Sequence, residues 1–354
     1  MKKERNFSLD VIRIFALFCV ISVHFFLNNG YYNEIIIGKR MYVMTLMRNT
    51  FMICVPLFII LTGYLMCNKQ LSKDYYKGII RTIGIYILVS IVCVIYKILF
   101  TDYQFNVLNI IFDILGFKAA IYSWYVEMYI GLFLLIPFLN IIYQNLKSQK
   151  EKKTLIITIS VLTIFPATLN YYHELLPQWW INIYPFIYYF IGCYLKEFGI
   201  RISKKKNILL IAVFVIFFGS ICYYKNYGLN FMPQSWAEIS NVVLSVLIFN
   251  LLLNINLTNI SNILKKILKN ISEAVLGAYL ISSIFDDICY KILNSHIHTV
   301  GEKLKYYILI VPVVFVCSLI ASICINYIYY ILVKVCTVFI NKIKNKFDKR
   351  IKTE

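Results

Sequence analysis

The chain is written as long apolar runs separated by short polar segments. Ten runs stand out, at about 7–27, 43–66, 79–100, 122–146, 154–172, 180–197, 207–225, 237–256, 273–293 and 306–336. A helix needs about 20 apolar residues to cross a bilayer. The sixth run is short for that and the tenth is long. Pro166 and Pro185 fall inside the fifth and sixth runs, where neighbouring helices tolerate a proline. The pattern predicts an all-α, polytopic integral membrane helix bundle of about ten transmembrane helices. Two amphipathic stretches lie outside the runs. One is Phe105 to Leu115; the other is 260–271, with Ile263, Leu264, Ile267 and Leu268 against Lys265, Lys266 and Lys269. Both predict helices lying in the membrane interface. No internal or inverted repeat is visible, which disfavours common transporter architectures.

Composition agrees with lipid as the main solvent. Of 354 residues 60% are hydrophobic and 15% charged, and the mean hydropathy is +0.72. A soluble domain of that length could not hide so much apolar surface. No long polar stretch marks a separate soluble domain. The expected organisation is one transmembrane domain, 1–340, and a basic cytoplasmic tail, 341–354. The abundance of Ile, Lys, Asn and Tyr resembles the composition of an AT-rich bacterium. The ten cysteines form no CxxC pair and most sit in apolar runs, so they read as core filling. No disulfide and no metal site is expected; His296-x-His298 has no companion ligands at a matching spacing.

The net charge of +19 would suggest nucleic acid in a soluble protein. Here it sorts by side of the membrane, so no nucleic-acid partner is expected. The termini and the loops on their side carry 24 Lys and Arg residues, among them Lys2, Lys3, Arg5, Lys77 and the tail from Lys342 to Lys352. The opposite loops carry seven: Lys39, Arg40, Lys118, Lys225, Lys291, Lys303 and Lys305. The positive-inside rule then places both termini in the cytoplasm. The first run has a basic flank like a signal peptide, but it is longer than a signal's apolar region and no small-x-small site follows, so it reads as a retained helix.

Ionisable groups inside a membrane helix are costly and mark functional candidates. The first run carries Asp10, Arg13 and His24. At about 100° per residue, the eleven steps from Arg13 to His24 return to within about 20° of the same direction. Asp10 lies about 60° away, so all three share one stripe. The rise from Arg13 to His24 is about 16 Å, with Arg13 near the cytoplasmic end and His24 near the outer end. One reading is structural: Asp10 pairs with Arg13 and His24 snorkels outward. The other is a route across the membrane. A cationic inner end suits the phosphates of a cytoplasmic donor. An outer histidine suits a general base or an acyl acceptor. The 16 Å gap is comparable to an extended pantetheine arm, which suggests acyl-CoA.

These residues resemble the membrane-bound acyltransferase type-3 family. Arg5-x-x-x-Leu9-Asp10-x-x-Arg13-x-x-Ala16 followed by His24 is similar to its first-helix signature, an Arg and a His separated by ten residues. Val55 to Leu65 resembles its VPLFF-x-x-SGYL, with Thr62 for Ser. Ser123-Trp124-Tyr125 through Pro137, Tyr184 to Gly192, and Leu276 to Ile281 resemble three later segments in order. The resemblance implies ten helices and transfer of an acyl group, usually acetyl from acetyl-CoA as co-substrate, to a carbohydrate or other surface acceptor. It carries Arg13 and His24 over as the functional pair. The family's Arg-x-x-Arg at the start of the third helix keeps only Arg81 here. Lys77 stands nearby as a partial substitute, a point charge rather than a fork. The late segment's His is replaced by Ser282.

Topology then assigns the remaining candidates. Glu127 enters from outside to the depth of His24; it either orients the imidazole or partners Arg48, for which Asp286 and Asp287 are the other choices. Trp124 and Tyr125 read either as an interfacial aromatic belt or as a stacking surface for the sugar acceptor. The expected activity is an acyl-CoA-dependent acyltransferase of the bacterial cytoplasmic membrane. In it Arg13, Arg81 and Lys77 hold the donor, His24 and Glu127 act on a glycan or lipid-linked sugar, and Asp10 orients Arg13. The alternative is a polysaccharide exporter or flippase of the same architecture.

Overall fold

The computed structural model describes residues 5–170, 173–224 and 236–351, with side chains up to 338. Lys2, Lys3, Lys225, the end of the expected fifth run at 171–172 and the side chains of the tail lie outside the described residues. No strand occurs among the described residues. The helices are α1 (Phe7–Asn28), α2 (Lys39–Phe51), α3 (Cys54–Met66), α4 (Lys73–Lys77), α5 (Ile80–Phe100), α6 (Val107–Leu115), α7 (Trp124–Asn145), α8 (Gln149–Leu169), α9 (Tyr184–Glu197), α10 (Lys204–Tyr224), α11 (Ile239–Leu253), α12 (Asn262–His296), α13 (Val300–Lys303) and α14 (Tyr307–Ile351). The chain is thus an all-α polytopic membrane bundle.

Among the described residues eight helical segments are long and apolar enough to cross a membrane. The expected sixth and eighth spans are α9 and α11, of 14 and 15 residues. Both fall short of the roughly 20 residues that lipid demands. The reason is visible in α9: Ile187, Tyr188, Tyr189 and Phe190 are all buried, so its apolar surface serves protein neighbours. Pro185 sits in its first turn rather than its interior, where no intrahelical N–H bond is lost.

Other boundaries follow local chemistry. The second run is broken at Met52–Ile53, between α2 and α3. Pro56 has no N–H to give the carbonyl of Met52 and its ring crowds that group. Asn106 caps α6 by accepting from the Asn109 N–H. The apolar side chains of α6, Leu108, Ile111, Phe112 and Leu115, are exposed, as an interfacial helix requires. The inner stretch 260–271 is not a separate interfacial helix. Ser261 caps it and it runs on without interruption as the first turns of α12, 35 residues long. The backbone of the expected tail continues α14 as far as Ile351.

The bundle is sorted for lipid. Ile87, Ile91, Ile95 and Leu99 of α5 fall four residues apart and are all exposed; Leu209, Val213, Ile216 and Phe217 of α10 are exposed too. In water such stripes would be a liability; against lipid tails they are the ordinary outer face. The polar groups are turned inward instead. α1 is the most enclosed of the long helices and packs against α2, α3, α11, α12 and α14.

Without a strong hydrophobic drive between helices in lipid, close backbone approach supplies the packing. The crossing of α3 and α9 depends on two glycines. A Cβ at Gly63 would meet the Tyr189 carbonyl oxygen at 2.1 Å, and one at Gly192 would meet the Ile60 carbonyl oxygen at 2.2 Å. Backbone cannot yield as a side-chain tip can, so Gly63→Ala or Gly192→Ala should destabilise the protein by roughly 1–3 kcal/mol. Gly131→Ala, where a Cβ meets nothing within 4 Å, should leave stability unchanged or slightly raised. Thermal unfolding of the detergent-solubilised protein, followed by intrinsic fluorescence, checks both.

Candidate active site

α1 lies against α12, and the two run parallel. Three contacts mark the register. Arg13 Nη1 donates to Ser272 Oγ at 2.7 Å. His24 Nδ1 lies 3.2 Å from Asp286 Oδ2. Asn294 Nδ2 donates to the Asn28 carbonyl at 3.0 Å. The polar stripe of α1 therefore meets a polar series on α12 from one end to the other.

At the first end, Arg5 forks onto Asp10 through Nε at 2.7 Å and Nη2 at 2.8 Å. A planar guanidinium matches a carboxylate in this way. Arg5 lies before the first span, and its hydrogen bond to Asp10 pushes its pKa above the usual arginine value. Asp10 is buried and also lies 3.7 Å from Arg13 Nη1. It thus bridges two arginines, with its tighter contact to Arg5 rather than to Arg13. A cavity of about 400 Å³ opens here. It is lined by Arg13, Thr62, Arg81, Tyr125, Glu273 and Tyr279, among others. Glu273 lies 3.5 Å from Arg5 Nη1, so its charge is partly answered from within the protein. A second cavity of about 510 Å³ shares Arg81 and Glu273 with the first and adds Tyr327 and Tyr330 of α14.

At the other end, a cavity of about 310 Å³ is lined by His24, Tyr32, Arg48, Tyr122, Trp124 and Trp236, among others, and again by Tyr279. The His24 ring stacks on Tyr122, with centroids 3.7 Å apart and planes 27° from parallel. The Tyr122 hydroxyl donates to Asp286 Oδ2 at 2.8 Å and accepts from Asn28 Nδ2 at 3.2 Å. Tyr279 donates its hydroxyl to the Tyr122 carbonyl. Tyr279 therefore forms part of the wall of both cavities.

The structure brings together Arg13, Arg81 and Asp10 at one end and His24 with Trp124 at the other. It does not bring Glu127 to His24. Glu127 is exposed on α7 and lines neither cavity; the acid at the imidazole is Asp286. Nor does Lys77 join Arg81. Its ammonium pairs with Asp74 at 2.7 Å on an exposed turn, because the i,i+3 spacing in α4 offers a closer carboxylate. Tyr125 is on the Arg13 side, stacked near Tyr129, while its neighbour Trp124 reaches the His24 side and stacks on Trp236 at 5.9 Å. One helical step of about 100° separates the two rings. Arg48 donates to the Tyr32 hydroxyl and to Asn49 Oδ1, both at 3.1 Å, and Asp287 takes Lys291 at 2.7 Å.

The residues that sequence reasoning left out of the site are Asp286, Tyr122, Tyr279, Ser272 and Trp236. One signal pointed to Asp286: a carboxylate inside a membrane run needs a partner. Its distance along the chain from Ser272 is similar to that of His24 from Arg13, which would have matched their depths once the two helices were known to be parallel. Tyr122 and Ser272 carry no such signal.

A family model described as an acyltransferase domain matches residues 6–331. No curated protein and no solved structure matches the chain significantly. The family match spans every helix that builds the two cavities, and by it the chain belongs to the acyltransferase type-3 family, as a multi-pass membrane acyltransferase.

Proposed function

We propose that this enzyme moves an acetyl group from cytoplasmic acetyl-CoA to a hydroxyl of a cell-surface glycan or lipid-linked sugar in the bacterial cytoplasmic membrane. The observation that carries the reading is the pair of cavities along α1. One contains Arg13 and Arg81, the other His24, and they share the wall at Tyr279. A donor with phosphates at one end and a thioester at the other needs that arrangement. Guanidinium groups match phosphate oxygens by paired hydrogen bonds. The rise of about 16 Å from Arg13 to His24 is comparable to an extended pantetheine arm. The acceptor enters the His24 cavity, where Trp124 and Trp236 offer apolar faces suited to a sugar ring. His24 takes the acceptor's proton as its oxygen attacks the thioester carbon.

Loss of a charged hydrogen-bond donor to phosphate costs about 1.5–3 kcal/mol. Arg81→Ala should therefore raise the acetyl-CoA concentration for half-maximal rate roughly tenfold or more, with a smaller change in the saturated rate. Lys77→Ala, at a residue that lines neither cavity, should leave both parameters within about twofold. Initial rates of transfer from labelled acetyl-CoA to native membranes distinguish these outcomes.

A general base contributes about 10²–10⁴ in rate. His24→Ala should lower transfer by at least 10²-fold while the protein remains in the membrane at normal level. If acylation persists in that variant while surface glycan disappears, the chain is an exporter and the enzymatic role of His24 is wrong.

A further inference from the structure

We propose that Asp286, with the Tyr122 hydroxyl, is the positioning residue that holds His24 as its Nδ1–H tautomer and so leaves Nε2 to take the acceptor's proton. The inference rests on the acyl-transfer reading of His24.

A carboxylate in the interior of a membrane bundle is costly unless it is paired. Asp286 is only 2% exposed. Among the described residues no lysine or arginine nitrogen lies within 4.0 Å of it, and the basic group it faces is His24 Nδ1 at 3.2 Å. The other partner is Tyr122, whose hydroxyl hydrogen goes to the same carboxylate oxygen. A tyrosine has one hydroxyl hydrogen. With it spent on Asp286, the Tyr122 oxygen is free to accept, and Asn28 Nδ2 donates to it. The chain of donors therefore runs one way, from Asn28 through Tyr122 to Asp286.

That direction leaves Asp286 as an acceptor facing the imidazole at 3.2 Å. An ionised carboxylate only accepts, so a hydrogen between Asp286 and His24 must sit on Nδ1. Nε2 then carries the lone pair. Stacking on Tyr122 holds the ring plane, so one tyrosine fixes both the carboxylate and the imidazole. Neither His24 Nδ1 nor Asp286 Oδ1 has a hydrogen-bond partner, so each is open to the other. The 3.2 Å contact is not yet aligned as a hydrogen bond, which is common for catalytic groups before substrate binds. Among the described residues no carboxylate lines the His24 cavity itself, whose wall also includes Arg48, Tyr32 and Cys54. Among the described residues no acid in that wall is therefore placed to take over the role of Asp286.

The step balances within the donor, the acceptor and His24. The acceptor O–H gives its proton to Nε2 while its oxygen forms a bond to the acyl carbon. The C–S bond breaks with its electron pair on sulfur. The imidazolium returns the proton to the coenzyme A thiolate, or through water, and Nδ1–H stays on Asp286 throughout.

Three variants and one spectrum test this. Asp286→Asn keeps size and shape but removes the charge that selects the tautomer. It should lower the saturated rate of transfer from labelled acetyl-CoA about 10²-fold, with the half-saturating acetyl-CoA concentration unchanged within threefold. Asp286→Glu should recover part of that loss, and Tyr122→Phe should show an intermediate loss. The chain has four histidines, so the imidazole ¹⁵N signals of His24 can be assigned in the membrane-embedded protein by comparison with His24→Ala. They should report hydrogen on Nδ1 in the parent and on Nε2 in Asp286→Asn. A full rate in Asp286→Asn, or the same tautomer in both proteins, overturns the inference. Because the spectrum needs no acceptor, it decides the role of Asp286 even if His24→Ala keeps its activity and the acyl-transfer reading fails.

Discussion

The parallel packing of α1 on α12 is the constraint on which the rest depends. α1 carries Asp10, Arg13, Ser22 and His24 through an apolar interior. Each such group costs several kcal/mol if left without a partner. α12 answers two of them directly, with Ser272 at Arg13 and Asp286 at His24. A slip of one residue would rotate the α12 partners by about 100° and leave both ends unmatched. The register is therefore fixed by polar matching, while the apolar side chains around it supply contact without choosing a register.

The outer parts of the bundle follow from that centre. α14 packs along α12, where Ser322 donates to the Ala274 carbonyl at 2.6 Å and Gly277 lets the two helices approach, and it also touches α1. α3 is held close to α9 by paired glycines. These backbone contacts leave gaps where side chains are large and polar, at the two ends of α1. The cavities are thus what remains when tight helix crossings meet a polar stripe that cannot be packed with apolar side chains. Tyr279 stands between them because it is the α12 residue facing α1 and α7 midway between Ser272 and Asp286.

Much of this was legible in the chain. Apolar run length located the helices, since lipid leaves the backbone no other partner. Periodicity alone put Arg13 and His24 on one stripe. The break at Met52–Ile53 is a case where 43–66 reads as one run, although Pro56 carries the physical cause. The partners of that stripe were not legible, because pairing across 262 positions, as for His24 and Asp286, is decided by tertiary packing. Glu127 lies on an exposed face of α7 and lines neither cavity, because the face a helix turns inward is likewise decided by tertiary packing. Lys77 is drawn instead to Asp74, one turn away on its own helix. Trp124 and Tyr125 were read as one surface, although adjacent positions on a helix point to different neighbours. The sixth run, already short for a span, is the 14-residue α9, and composition alone cannot tell its protein-facing from lipid-facing apolar residues.

The central claim is that donor and acceptor occupy different ends of α1 and react across the membrane. Sealed, right-side-out vesicles carrying the protein and its native acceptors test it most directly, with labelled acetyl-CoA supplied on one side only. Donor trapped in the lumen should label glycan on the outer surface, and donor added outside should label little or nothing. Equal labelling from externally added acetyl-CoA, with the vesicles intact, would contradict the account.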